Sequence, residues 1–415
     1  MYTSYAAPHA QGKVPKDKIF GAAAAAREDI AKVGKDKVVN GTFGAILDEE
    51  GKLVCLPTVE KVFRSLTVDE LIAYAPIAGL PAYIDQVQAA CFGKSRPEGY
   101  MAAVATAGGT GSLHHAIFNY TSEGDTVLTA NWYWANYKVL CLDANRKLDT
   151  YQMLTDDGQF NLDALTAKTK ELLRQQEQVL IIINTPAHNP TGYSLTLPEM
   201  QAVVAMAGQA AKDSGKKVIL FIDAAYLDYA GDKDETRKVF TAFSHLPEGV
   251  FTLVGYSMSK SFTMYGQRTG AIIGIASNEE VITEFKNINA YTSRATWSNI
   301  NRPCMHTLVK VYQDSELLQK VEAERTYYYQ MTKARADIFV KEAKDCSLPI
   351  IPYKAGFFIS VPAKNPDAIA EKLHEEHIYI VPLAAGLRVA VCSIPLKQMP
   401  GLAAKIYQAW KAIEG

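Results

Sequence analysis

The chain has 415 residues, of which 48% are hydrophobic and 21% charged, with 43 basic against 44 acidic side chains and a formal net charge of −1. This length exceeds what a single core usually holds, so two domains are expected, and the composition excludes a disordered or membrane-embedded chain. No long block of one sign is present, which leaves no footprint for nucleic acid or an anionic membrane, so any anion site must be local.

Residues 1 to about 16 lack periodicity and predict an arm that is ordered only where something holds it. Phe20 to Val33, rich in alanine and closed by Gly34, predicts a helix, and residues 37–44 turn extended and glycine-punctuated. Apolar spacing over Pro57 to Tyr74 predicts one helix, and Gly79-Leu80-Pro81 restarts another through Phe92. Beyond Pro97, strands and helices alternate. The expected strands are Met101 to Thr106, Thr126 to Thr129, Val179 to Ile183, Val218 to Ile222 and Val250 to Val254, with helices from about Gly111 and from Pro198 to about Ser214. Short, fully apolar runs between helices are what a mostly parallel sheet covered on both faces requires, so the fold class is α/β. After Asn299 long helical stretches take over, notably Glu316 to Lys344, whose Tyr327-Tyr328-Tyr329 reads as packing surface. Gly356 to Val361, a helix over Pro366 to Glu376, Ile378 to Val381 and Leu387 to Val391 form a small α+β tail.

Four stretches stand at the ends of predicted strands, where such sheets bind ligands. Ala107-Gly108-Gly109-Thr110-Gly111-Ser112 is either a plain turn or a backbone cradle for an anion at a helix N-terminus. Asn184 to Gly192 is a loop stiffened by Pro186 and Pro190, which would hold Asn189 rigidly. Asp223, leaving an apolar strand, either caps the next helix or needs a cationic or hydrogen-bonding partner. Asn131-Trp132-Tyr133-Trp134 offers rings for core packing or for stacking on a planar ligand.

A fifth stretch, Ser257-Met258-Ser259-Lys260 running on to Gly266 and Arg268, places a lysine at the end of a buried strand. Burial disfavours the ammonium, and a deprotonated lysine attacks carbonyls. A phosphate, a flat ring, a site for a cation opposite an aspartate and a carbonyl together describe pyridoxal phosphate. The six cysteines form no C-x-x-C pair and read as reduced core residues, while His374-Glu375-Glu376-His377 reads as a solvated face, so no metal site is expected. His114 and His115 read as helix packing. No signal peptide or membrane span is expected, which makes the cytoplasm the expected compartment.

Ser257-Met258-Ser259-Lys260 with Gly266 and Arg268, His188-Asn189-Pro190-Thr191-Gly192, and Asp223 with Tyr226 occur in the order and close to the spacing of a known family. Over nearly its whole length the chain resembles the class I pyridoxal-phosphate aminotransferases of fold type I, in the aspartate/aromatic branch. The resemblance implies a large domain with a mostly parallel seven-stranded sheet between helices, and a small α+β domain. It divides the chain into residues 1–50 (arm and part of the small domain), 51–315 (large domain) and 316–415 (small domain). It implies that Lys260 carries the cofactor as an imine and shuttles the substrate proton, that Asp223 keeps the pyridine nitrogen protonated, and that Asn189 and Tyr226 hold O3′. Trp134 would stack on the ring, and Ser257, Arg268, Gly109 and Thr110 would bind the phosphate. Tyr74 would reach the phosphate of a neighbouring subunit, which implies a homodimer. Gly44, Trp134, Asn189 and Arg388 would line the substrate site, Arg388 clamping its α-carboxylate, and Arg294 would bind a distal carboxylate across the dimer. The implied activity is ping-pong transfer of an amino group from an L-amino acid, aspartate or aromatic, to a 2-oxo acid such as 2-oxoglutarate. A lyase or decarboxylase on the same fold is the nearer rival, and a non-catalytic cofactor-binding regulator the more distant one. Thr263, Thr269, Met264 and Trp297 depart from the family's usual wording, which leaves side-chain specificity open.

Overall fold

The computed structural model describes residues 4–14 and 18–415. Of the expected N-terminal arm, residues 1–3, 15 and 16 lie outside the described residues; over 4–14 nearly every residue is exposed, and Lys13 reaches Asp143 at 2.9 Å.

Seven strands form the central sheet: β1 Tyr100–Thr106, β2 Thr126–Ala130, β3 Lys147–Tyr151, β4 Gln178–Asn184, β5 Lys217–Asp223, β6 Val250–Ser257 and β7 Gly270–Ala276, in the spatial order β1-β7-β6-β5-β4-β2-β3. Only β7 runs antiparallel to its neighbours. β4 and β5 are buried from their second residue on, because helices cover both faces and leave no place for polar alternation. Register aligns Asn184 with Asp223 and Asp223 with Gly255, so the polar residues that end these apolar strands meet at one sheet edge. Two strands were not legible as such. β3 is a half-exposed edge strand, Lys-Leu-Asp-Thr-Tyr, and β7 has glycine at Gly274 in its middle, where a Cβ would come within 2.9 Å of the Phe285 ring.

A smaller sheet follows: β8 Phe358–Pro362, β9 Val381–Leu383 and β10 Gly386–Ala390, antiparallel in the order β9-β10-β8. Val39–Asn40 pairs in parallel with Ile378–Tyr379, so the N-terminal segment joins the C-terminal one. The helix Ser315–Cys346 joins the two largest apolar clusters. Its Val321 belongs to the large core and its Ala336, Phe339 and Ala343 to the second, with Ile359, Val389 and Ile406.

The single helix expected over Pro57 to Tyr74 is two helices, Pro57–Arg64 and Val68–Ile72. Thr67 caps the second, accepting from the Glu70 amide while Glu70 accepts from the Thr67 amide, a local alternative worth about 1 kcal/mol that outweighs apolar spacing. The helix expected from about Gly111 begins at Gly108, so the glycines form its first turn. All six cysteines are free, but only Cys91, Cys141, Cys304 and Cys392 are buried; Cys55 is exposed and Cys346 intermediate, which corrects their reading as core residues.

Candidate active site

β6 delivers Lys260. Ser257 ends the strand and caps the four-residue helix Met258–Ser261, accepting from the Ser259 amide at 3.2 Å, which turns Lys260 into a cavity of about 200 Å³. The lysine Nζ lies 5.8 Å from the Tyr226 ring centroid and 5.1 Å from that of Tyr265. Burial, aided by the nearby Arg268 charge, pulls its pKa down to about 8. The amine is therefore far more often neutral at physiological pH than an exposed lysine.

Asp223 lines the same cavity. Its Oδ2 accepts from the Tyr137 hydroxyl at 2.6 Å and its Oδ1 from the Ala225 amide at 3.2 Å. Burial nevertheless raises its pKa above the usual carboxylate range, with those two donors opposing the shift. The Asn184 amide group donates to the Asp223 carbonyl, and its Oδ1 accepts from the Asn189 backbone at 2.5 Å. The peptide bonds preceding Pro186 and Pro190 are cis. Asn189 in turn donates to the Tyr226 hydroxyl at 3.2 Å and faces Arg388 Nη1 at 3.4 Å.

Gly109, Thr110, Ser257, Ser259 and Arg268 form a third wall, joined by the half-buried Trp134. Arg268 Nη1 donates to Ser259 Oγ at 3.0 Å, and its Nη2 stands 3.5 Å from Thr110 Oγ1. Gly108 is required here. Its φ is +67°, and a Cβ would come within 2.8 Å of Arg268 Nη2. The wall thus combines the open N–H groups of a 12-residue helix with a guanidinium and hydroxyls, a donor set matched to a phosphate dianion.

Of the residues expected at the site, Gly109, Thr110, Trp134, Asn189, Asp223, Tyr226, Ser257, Lys260 and Arg268 line this one cavity. Arg388 adjoins it through Asn189; it is buried, donates to the Thr42 carbonyl at 3.0 Å and lies 4.3 Å over the Phe358 ring. Gly44 lies against the same ring, where a Cβ would sit 3.3 Å from it. Tyr74 and Arg294 are not brought to the cavity within one chain. Tyr74 is 89% exposed, and Arg294 ends the helix Glu279–Thr296 exposed, bonded to Ser298.

Sequence reasoning missed Asn184, Tyr137, Ser259 and Tyr265. Asn184 carried the signal that singled out Asp223, a polar residue ending an apolar strand. Tyr137 follows the Trp132-Tyr133-Trp134 cluster by one turn. His115 is packing, as expected: buried, stacked on Trp297 with centroids 4.7 Å apart and bonded to Ser293. His374 and His377 diverge, one stacked on Tyr379 and the other 2.7 Å from Asp29.

A buried carboxylate with acceptor capacity to spare, a glycine-lined anion cradle and a lysine of lowered pKa, set in one cavity at the carboxyl ends of a parallel sheet, fit pyridoxal phosphate and define a fold type I enzyme of that cofactor. The comparisons carry this further. The sequence model of Aminotransferase class I and II matches residues 36–406. A solved aminotransferase from Anaerococcus prevotii DSM 20548 is 37% identical with a TM-score of 0.96, covering 98% of this chain and 100% of its own. The cytoplasmic aspartate aminotransferase of Gallus gallus is 25% identical over 97% of this chain and 98% of its own length. The aromatic-amino-acid aminotransferase of Pseudomonas aeruginosa is 24% identical over 95% and 97%. The chain belongs to the class I and II aminotransferase family: it is a pyridoxal-phosphate-dependent transaminase.

Proposed function

We propose that this transaminase moves the amino group of aspartate or of an aromatic L-amino acid to a 2-oxo acid such as 2-oxoglutarate, by two alternating half-reactions of ping-pong type. The observation that carries the reading is the position of Lys260, its pKa pulled down to about 8, in one cavity with Asp223 and Arg268. When bound, the cofactor supplies an aldehyde and a protonated ring that draws electrons from the substrate Cα.

The chain's own residues do the rest. Lys260 would hold the cofactor through its amine and, when free, would move the proton from the substrate Cα. Asp223 holds the proton on the ring nitrogen, and Tyr137 and the Ala225 amide fix its carboxylate. Asn189 and Tyr226 would hold the ring hydroxyl, Trp134 would pack on the ring, and Gly109, Thr110, Ser257 and Arg268 would hold the phosphate. Arg388, aimed by Asn189, Thr42 and Phe358, receives the α-carboxylate beside Gly44. A bidentate guanidinium suits that planar anion.

Arg294 and Tyr74 complete the site of a second copy in this reading. Support comes from the surface around Tyr74, where Val68 is 67% and Ile72 77% exposed beside a tyrosine at 89%. A contiguous apolar patch of this kind marks an interface. Light scattering is expected to return twice the chain mass, and Tyr74→Phe to weaken cofactor retention about tenfold, as loss of one hydrogen bond to a phosphate implies. A monodisperse single chain with full activity would remove the shared site. The cytoplasm is the compartment this reading assigns, supported by six free cysteines and by relatives named as cytoplasmic.

An amino-donor screen against 2-oxoglutarate tests the substrate assignment. Arg294→Ala should lower kcat/KM for aspartate by about two orders of magnitude, the size of a lost desolvated charge pair, while tyrosine and phenylalanine change less than about threefold. Equal losses for both donor classes would refute the role of Arg294, and release of free ammonia in place of a new amino acid would refute transamination.

A further inference from the structure

One charged cluster stands outside the catalytic cavity and touches its most important turn. Asp228 lies in the short 3-10 turn Leu227–Tyr229, immediately after Tyr226, and is buried with Arg237 and Arg325. Arg237 Nη2 meets Asp228 Oδ1 at 2.6 Å and also donates to the Ala90 carbonyl. Arg325 comes from the helix Ser315–Cys346. Its Nε donates to the Ser261 carbonyl at 2.6 Å, its guanidinium lies 4.7 Å over the Phe262 ring, and its Nη1 is 3.9 Å from Asp228 Oδ2. Burial works to raise the Asp228 pKa, but the guanidiniums of Arg325 and Arg237 overcome it and leave the group ionised.

The charge count is uneven. Arg237 alone neutralises Asp228, so Arg325 is a second buried cation on a single carboxylate, and keeping a surplus buried charge is costly. A core residue of the same shape without charge would serve packing better. What the guanidinium alone supplies is a donor to the carbonyl of Ser261, the residue after Lys260. A cavity of about 850 Å³ lies against Asp228, Arg237 and Arg325, while Ser261 and Phe262 are buried, so Arg325 links the packed turn to this cluster.

We propose that Arg325 is a positioning residue: bonded to Ser261, stacked on Phe262 and braced by Asp228, it fixes the turn that carries Lys260 to the helix shared by the two largest apolar clusters. This rests on Lys260 being the lysine that holds the cofactor. With the turn fixed, the Lys260 nitrogen stays between Tyr226 and Tyr265 and near Arg268, an enclosure that disfavours its charged form. A loosened turn lets the nitrogen leave that enclosure, and its protonated form gains.

The test uses the holoenzyme. Borohydride reduction followed by peptide mapping is expected to place the cofactor on Lys260; a label on another lysine would overturn both readings. With Lys260 labelled, R325M is compared with R325K. R325M leaves the Asp228–Arg237 pair intact, so it should fold. It is expected to raise the pH midpoint of the bound cofactor's absorbance change by about half a unit or more, and to lower kcat about tenfold with KM within about threefold. R325K, whose ammonium can still donate to Ser261, should recover most of the midpoint shift. A lowered Tm with midpoint and kcat unchanged would reduce Arg325 to a structural residue and overturn the proposal. Should R325M fail to fold, Phe262→Leu decides on the same readouts, with the midpoint expected to move in the same direction and its constancy counting against the proposal.

Discussion

Replacing Lys260 by alanine is expected to cut transamination by at least about four orders of magnitude, because one side chain supplies both the covalent hold on the cofactor and the proton transfer at Cα. General acid–base catalysis alone contributes about 10² to 10⁴, and the covalent role adds to it. The clean measurement is a single half-reaction with aspartate, followed by the spectrum of the cofactor, since it separates chemistry from cofactor loss. Added methylamine should restore part of the rate, because an external amine can carry the proton where the cavity is vacated. The pKa pulled down to about 8 makes a second, directional claim. Capture of pyridoxal phosphate by the apoenzyme needs the neutral amine, whose fraction grows from roughly one tenth at pH 7 to about half at pH 8, so the capture rate should rise about fivefold across that unit and flatten above about pH 9. A rate still climbing tenfold per unit at pH 9 would mean an ordinary lysine, and would contradict the burial argument. A variant retaining a tenth of the wild-type rate would end the assignment of Lys260 altogether.

Why this residue could be singled out from the sequence, while its anchor could not, is a matter of which signals are local. Apolar runs such as Val218 to Ile222 have one physical outcome in a chain of this size, a strand buried on both faces, and a polar residue at such a strand's end is placed by the fold at the ligand edge. Asp223 and Lys260 were legible for that reason, and Asn189 because Pro186 and Pro190 stiffen the loop beyond such a strand. The glycines before Ser112 were legible as an anion cradle in kind but not in extent, because the left-handed backbone of Gly108 and the approach of Arg268 to it appear only in the fold. β3 escaped because an edge strand carries half-exposed polar residues, and β7 because Gly274 breaks its pattern to admit Phe285. Arg325 had no local signal. It sits on a long helix dense in Lys, Glu and Arg, where a charged residue normally faces water, and only the fold buries it beside Asp228. The same holds for Tyr137, an unremarkable aromatic until the hydroxyl is seen 2.6 Å from the Asp223 carboxylate. Contacts between distant segments are what periodicity and motif spacing do not encode.

Asp223→Asn is the second substitution with a large expected effect, about a thousandfold lower rate in each half-reaction, or about 4 kcal/mol. In the free protein burial raises the Asp223 pKa, opposed by Tyr137, the Ala225 amide and, more weakly, the Lys260 charge. A protonated ring nitrogen held against the carboxylate would add a cation there, and each charge would then hold the other in its ionised state. Asparagine can fill the same space and accept one hydrogen bond, but it carries no charge, so the ring loses its proton and with it most of its capacity to take up electrons from Cα. The loss should appear in kcat rather than KM, because substrate binding rests on Arg388 and Arg294. It should also make proton removal rate-limiting, so a substrate deuterated at Cα should show a larger isotope effect in the variant than in the wild type. Asp223→Glu keeps the charge and adds a methylene to a site already bounded by Tyr137 and Asn184, so it should lose less than the asparagine variant despite the worse fit. Equal losses in the two variants would assign the effect to packing, and an asparagine variant within tenfold of wild type would show that Asp223 does not sustain the ring proton. Tyr137→Phe separates the contributions further. Removing its hydroxyl withdraws a donor that favours the carboxylate, so the Asp223 pKa should rise and the acid limb of the kcat profile should move to higher pH, with activity near its optimum reduced far less than in Asp223→Asn.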